Sequence, residues 1–230
     1  MADDRLHRIL AELSDGQDAW SSDLLCEACP RIAGVSGAGI MLMSGDIPGG
    51  SLCASNDVSQ LIEELQYTLG EGPCVDAYHQ DMSVTEPDLA APVTRRWLAF
   101  TPPALKAGAR AVFGFPLRVG AVRLGALNLY RDQPGPLSQE QHADAMVVAA
   151  LAARWVLEAQ AGAPAGHMAA ELEAGADFHF TVHNAAGIVS VQEDISVAEA
   201  LIRLRAFAFS SERQLADVAQ DIIAHRLRLG

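Results

Sequence analysis

Lysine is nearly missing from this 230-residue chain: Lys106 stands alone, the other fifteen bases are arginine, and twenty-nine Asp plus Glu outweigh them. The net charge of −13 excludes indiscriminate adhesion to nucleic acid or anionic lipid, so any nucleic-acid contact has to be local. Long apolar runs are missing too. None approaches the roughly 20 residues that span a bilayer, and the acidic start MADDRLHRIL lacks the basic and apolar regions of a signal peptide. These absences predict a soluble, cytoplasmic chain with no membrane partner. Cysteine is scarce: Cys26, Cys29, Cys53 and Cys74 are expected to stay reduced in that compartment, which excludes a disulfide framework. Cys26-Glu-Ala-Cys29 could be half of a zinc or redox site, but a second CxxC is absent. The pair sits in apolar LLCEACPRIAGV, where Cys serves as a small core residue. No metal and no cofactor is expected.

What is present is apolar patterning with a change of period along the chain. DRLHRILAEL and AWSSDLLCEACPRI predict two amphipathic helices, and GAGIMLMS and SLCAS predict strands around the turn cluster GDIPGG. DVSQLIEELQYTLGEG places Val58, Ile62, Leu65 and Leu69 on a helical stripe that stops at Gly70. PCVDAYHQD predicts a short helix, SVTEPDL an edge strand stopped by Pro87, and RRWLAFTPPALKAG another helix. AVFGFPLRV and AVRLGALNLYR, joined at Gly120-Ala121, predict a central antiparallel pair. Ser138 and Gln141 form a capping box before a helix with Met146, Ala150, Ala153 and Leu157 on one stripe.

AGAPAG then divides the chain, and period-two patterning ends there. The fold class expected is α+β: an antiparallel sheet flanked by helices over residues 1–160, a linker at 161–166, and an all-α three-helix module over 167–230. The stripes in that module are Phe178, Val182, Ala185 and Val189, then Val197, Leu201, Leu204 and Ala208, then Leu215, Val218 and Ile222. Ser196 with Glu199, and Ser211 with Gln214, predict capping boxes for its second and third helices.

Four fragments of the tail carry a family resemblance: Ala185-Ala186-Gly187, Ser196-Val197-Ala198-Glu199-Ala200, Leu204-Arg205-Ala206-Phe207-Ala208, and Arg213-Gln214-Leu215-Ala216-Asp217-Val218-Ala219. In this order and spacing the tail resembles the ANTAR family of RNA-binding transcription antitermination modules. Upstream, GEGPCVDAY, RRWLAF and FPLRVGAVRLGALNLYR followed by PGPLS resemble a GAF domain of the actinobacterial GAF–ANTAR type. The resemblance implies a regulator, not an enzyme, that dimerises and binds RNA stem-loops so that a terminator does not form, with a GAF domain sensing an unidentified signal. A small-molecule effector in the GAF half is a candidate partner, although the Asn-Lys signature of cyclic-nucleotide GAF domains is absent.

Arginine placement nominates the RNA contacts. Ala198, Ile202, Arg205 and Phe209 lie on a stripe beside the core one, where a guanidinium flanked by apolar groups can stack on an unpaired base. Arg213 sits at a helix start, where a cation opposes the macrodipole, and either a phosphate contact or a pair with Asp217 accounts for it. Arg226 and Arg228 suit a helix end and are helpers. Arg203 is expected to pair with Glu199. His179 and His183, four apart, lack a third metal ligand. From Met168 onward five arginines face nine acids, an awkward balance for a binder of phosphates. Two alternatives stay open: a GAF-type thiol redox enzyme or switch using Cys53 and Cys74, and a dimerisation module without an RNA target.

Overall fold

The computed structural model describes residues 2–14, 21–44, 47–92, 94–162, 169, 172, 177–211 and 213–229. Two compact units divide the chain, Met1–Ala174 and Gly175–Gly230. Ala169 and Leu172 are buried in the core of the first unit. That unit therefore holds the chain beyond the boundary at 166/167 read from composition; most of the AGAPAG stretch lies outside the described residues.

In the first unit, helices α1 (Ala2–Leu13) and α2 (Ser22–Ala33) precede the strands β1 (Gly37–Ser44) and β2 (Ile47–Ala54). Next come α3 (Asp57–Leu69), α4 (Pro73–Gln80), β3 (Val84–Glu86) and α5 (Thr101–Lys106). The unit then runs through β4 (Ala111–Val119), β5 (Val122–Arg131) and α6 (Gln139–Ala161). Local chemistry sets these limits. Ser21 accepts the N–H of Leu24 to start α2, and Gly34 ends it at φ +61°. Asn56 and Gly70 do the same for α3. Ser138 and Gln141 form the expected capping box of α6.

The five strands form one antiparallel sheet in the order β2-β1-β5-β4-β3. The Gly120-Ala121 hairpin and the short edge strand before Pro87 stand as the sequence predicts. Alternation along the strands gives the sheet two faces. Ile40, Phe113, Phe115, Leu117 and Leu127 face α2 and α6 in the main apolar core, while α3 and α4 cover the other side. Arg5 and Arg8 fasten α1 to α6 through the buried Asp144, and Arg5 also reaches Glu140.

Three expectations are corrected in this unit. On α6 the buried apolar residues are Ala145, Val148, Ala149, Ala152, Ala153 and Val156. Of the stripe expected there only Ala153 is buried, whereas Met146, Ala150 and Leu157 are exposed; small alanines let the helix lie close to the sheet and leave the larger side chains on its flank. Within RRWLAFTPPALKAG only Thr101–Lys106 is helical, and Trp97 adopts φ +58°. The cysteines are not all reduced: Cys26 on α2 is disulfide-bonded to Cys53 on β2, with Cα atoms 6.0 Å apart. Cys26 stands as the core position its apolar segment predicts, and burial of Cys53 in the same core is what brings the two together. Cys29 and Cys74 are buried free thiols.

The second unit holds α7 (Asp177–Glu193), α8 (Val197–Ser210) and α9 (Leu215–Ile223), with no strand among the described residues. Its core joins Val182, Ala185, Ala186 and Val189 of α7 to Ala200, Leu201, Leu204 and Ala208 of α8 and to Leu215, Val218, Ala219 and Ile222 of α9. The three predicted stripes are thus largely buried, except that Val197 is exposed; the Phe178 and His179 side chains lie outside the described residues. Ser196 and Glu199 make their capping box. Ser211 and Gln214 do not: the Ser211 hydroxyl donates to the Phe207 carbonyl at the end of α8, and Gln214 caps α9 without a side-chain bond.

Candidate functional site

Each unit carries a polar constellation of interest, and arginines of the one in the helical unit were nominated from sequence. There, Phe209 and Ile202 are 66% and 62% exposed on α8 and Ala198 and Ala206 are exposed beside them, so the apolar stripe faces outward. Arg205 is half-buried on the same helix, four residues from Phe209. Arg213 precedes α9 instead of lying in its first turn, and Arg226 follows the end of α9. The structure brings these two together: Arg213 Nη2 donates to Asp221 Oδ2 at 2.6 Å, Arg226 Nε donates to Asp221 Oδ1 at 2.8 Å, and Arg226 Nη2 lies 2.7 Å from the same oxygen. The Arg213 and Arg226 guanidiniums hold the Asp221 carboxyl below its ordinary range. The partner of Arg213 is thus Asp221 and not Asp217, because Arg213 lies outside the helix.

Arg203 likewise changes partner. Glu199 accepts the backbone N–H and hydroxyl of Ser196, which lower its pKa, so Arg203 instead pairs with Glu193 at 3.4 Å. Arg228 is exposed. His183 is half-buried, and among the described residues no group of three His, Cys, Asp or Glu side chains could hold a metal ion.

The second constellation, missed from sequence, lies beneath α3 in the first unit. Glu63, Gln66 and Asn128 are all buried, and Asn128 Nδ2 donates to Glu63 Oε1 at 2.6 Å. Gln66 Oε1 accepts the Cys74 N–H at 2.7 Å, which ties α3 to the start of α4. Burial pushes the Glu63 carboxyl up to about 8 against the smaller opposing effect of the Asn128 bond. Burial, then the Glu63 carboxylate, push the Cys74 thiol well up. Burial takes Cys29 to about 12. Glu63 Oε2, Gln66 Nε2 and Asn128 Oδ1 have no hydrogen-bond partner among the described residues.

Glycine allows this close fit. A Cβ on Gly39 would sit 2.5 Å from Glu63 Oε1, and one on Gly114 would sit 2.3 Å from the Pro73 carbonyl oxygen. A cavity of about 10 Å³ remains between Gly39, Ser59, Glu63, Asn128 and Tyr130, room for one water and not for a metabolite. A larger cleft of about 420 Å³ opens between Met82, Phe115, Arg118, Met146 and Ala150. The signal in sequence was the pair Glu63 and Gln66, one turn apart on a helix opposite glycine-bearing strands.

An antiparallel sheet in the order 2-1-5-4-3, covered by helices on both faces, with a polar cluster under one helix, defines the class of small α+β domains built on a single helix-covered sheet. Residues 22–156 match the family model described as GAF domain, and the chain belongs to that family, whose members are signal-sensing modules of signalling proteins. Among solved structures, the chain is similar to the GAF domain of a phosphoenolpyruvate-protein phosphotransferase from Coxiella burnetii (13% identity, TM-score 0.52, covering 70% of this chain and 95% of that one). It is also similar to the GAF domain of the corresponding protein from Acinetobacter (15% identity, TM-score 0.50, covering 70% and 96%). Both likenesses are of fold. Comparison with curated proteins returned no match. Among the described residues no helix is long and apolar enough to cross a membrane.

Proposed function

We propose that this protein is a cytoplasmic signalling regulator whose helical unit, of ANTAR type, binds RNA stem-loops and acts as a transcription antiterminator, with the GAF domain as its sensor. The observation that carries this reading is the surface of the helical unit. It offers exposed Phe209 and Ile202 beside the half-buried Arg205, and an arginine pair, Arg213 and Arg226, on one carboxylate. Aromatic and guanidinium groups together suit unstacked loop bases, and a pair of arginines suits phosphates. A homodimer would double this limited basic surface in a unit that is acidic as a whole. A small-molecule effector could use the 420 Å³ cleft or displace side chains under α3.

The thiol-enzyme alternative requires an exposed thiolate near a cation. Cys74 instead lies buried beside Glu63, and Cys53 is bonded to Cys26, so the non-enzymatic reading is preferred. The dimerisation alternative keeps one observation in its favour, the outward apolar stripe of α8. Filter binding of the full chain to a pool of stem-loop RNAs over a salt series decides between them. Binding that weakens at least several-fold in Arg205→Ala and in Arg213→Ala, with unchanged circular dichroism, supports the RNA reading. No binding at low salt, together with a dimer by light scattering that Phe209→Ala dissociates, supports the dimerisation module.

A further inference from the structure

The RNA reading leaves Asp221 unexplained, because an acid between two nominated phosphate ligands works against them. Its side chain is 24% exposed and takes a hydrogen bond from each of two arginines, at 2.6 and 2.8 Å, with Arg226 Nη2 also within ion-pair distance at 2.7 Å. Arg226 turns its Nε–Nη2 edge to Oδ1 alone, and that edge is the one by which a guanidinium can fork a phosphate. We propose that Asp221 is an internal competitor for phosphate: it occupies the guanidinium groups of Arg213 and Arg226 that an RNA phosphodiester would otherwise take, and so sets the affinity of the helical unit. This rests on the RNA reading above.

The chemistry follows from charge-assisted hydrogen bonding. A carboxylate oxygen and a phosphate oxygen are the same kind of acceptor for a guanidinium, so RNA binding through these two arginines exchanges one anion for another. With Asp221 in place the trio offers one net positive charge, and without it two, and the polyelectrolyte part of RNA affinity grows with the charges available. The carboxyl is held below its ordinary range, so it remains ionised at neutral pH and the competition does not relax with mild acidification. The main-chain carbonyl of Asp221 accepts the N–H of Arg226 and of Leu227, contacts that do not depend on the side chain. Replacing the carboxylate alone should therefore leave the chain path intact.

The test uses the full chain and filter binding to a stem-loop RNA pool across a salt series, with circular dichroism on every variant. Asp221→Asn, with Asp221→Ser as a second substitution, is expected to bind at least several-fold more tightly than the parent. Its salt dependence is expected to steepen by about 0.7 for each single-stranded phosphate newly engaged. Asp217→Asn, an exposed acid of the same helix, is the control and should bind like the parent. Adding Arg213→Ala or Arg226→Ala to Asp221→Asn should remove the gain. Equal or weaker binding of Asp221→Asn overturns the proposal, as does an equal gain in Asp217→Asn or a gain that survives loss of both arginines. If neither parent nor Asp221→Asn binds RNA at low salt, the RNA reading itself fails and the proposal falls with it.

Discussion

The two units treat polar groups in opposite ways. In the GAF unit Glu63, Gln66, Asn128 and Asp144 are buried, whereas in the helical unit every fully buried residue among the described ones is apolar and, apart from half-buried Arg205, whose Nε and Nη2 are covered, the charges lie largely outside. A carboxyl in a low-dielectric interior responds to protonation and to the shape of its surroundings. Charges on a solvated surface respond to salt and to polyanions. The first behaviour suits a sensor and the second suits a polyelectrolyte binder, so the division of labour proposed for the two units matches where each keeps its polar atoms.

The largest effect expected from this contrast is pH-linked. Glu63 in the folded chain titrates near 8 instead of 4.5, so the native state binds more protons than the unfolded one between those values. Its stability is fully present below the unfolded value and is lost as pH rises through the folded one, at about 1.4 kcal/mol per pH unit. Asp221 and Glu199 in the helical unit shift the other way, so their contribution is present above the ordinary carboxylate range and is lost as pH falls. Urea unfolding from pH 5 to 8.5 should show the GAF transition weakening with rising pH, and Glu63→Gln should flatten that slope. A slope unchanged by Glu63→Gln would mean that another group carries it.

Next in size is the disulfide. Cys26 and Cys53 are 27 residues apart, and closing a loop of that length stabilises by about 3–4 kcal/mol in the chain-entropy account. Cys26→Ala with Cys53→Ala should lower the GAF transition in calorimetry and leave that of the helical unit in place. Alkylation of the denatured parent should find two thiols before reduction and four after.

Glycine sharpens the same comparison at a smaller scale. Gly39→Ala drives a methyl into the Glu63 side chain and should cost about 1–3 kcal/mol. Gly187→Ala lies inside α7 with open space around the new methyl and should stabilise by roughly 0.5–1 kcal/mol. Opposite signs for one chemical change would confirm that the GAF unit is the tightly fitted one. A neutral Gly39→Ala would show that α3 can shift away from the sheet.

The β4–β5 hairpin and the α6 and α8 caps were legible in sequence because short-range rules decide them, and the three helical stripes because a small bundle has one apolar interior. Less legible was anything set by what lies opposite. Periodicity identified the apolar residues of α3 but could not show that Glu63 and Gln66 also face the sheet, since that depends on Gly39 and Gly114 leaving room. The disulfide was missed because a compartment argument outweighed the geometry that pairs α2 with β2. The arginines were nominated individually, and Asp221, which joins two of them, is visible only once the chain turns back after α9.

The smallest expected effect tests whether that joining matters. Arg203 and Arg213 are both paired arginines of the helical unit, but their surroundings differ. Arg203 meets Glu193 at 3.4 Å with half its side chain exposed, a surface pair of the kind worth under about 1 kcal/mol. It stands apart from the Asp221 clamp, and the cap formed by Glu199 does not need it. Arg203→Ala should therefore change stability by a few tenths of a kcal/mol to about 1, leave the slope of RNA affinity against salt unchanged, and alter that affinity by less than twofold. Arg213→Ala should flatten that slope by about 0.7 if it removes one single-stranded phosphate contact. Comparable losses from both substitutions would show that RNA affinity follows total charge instead of position, and would remove the distinction between clamped and ordinary arginines.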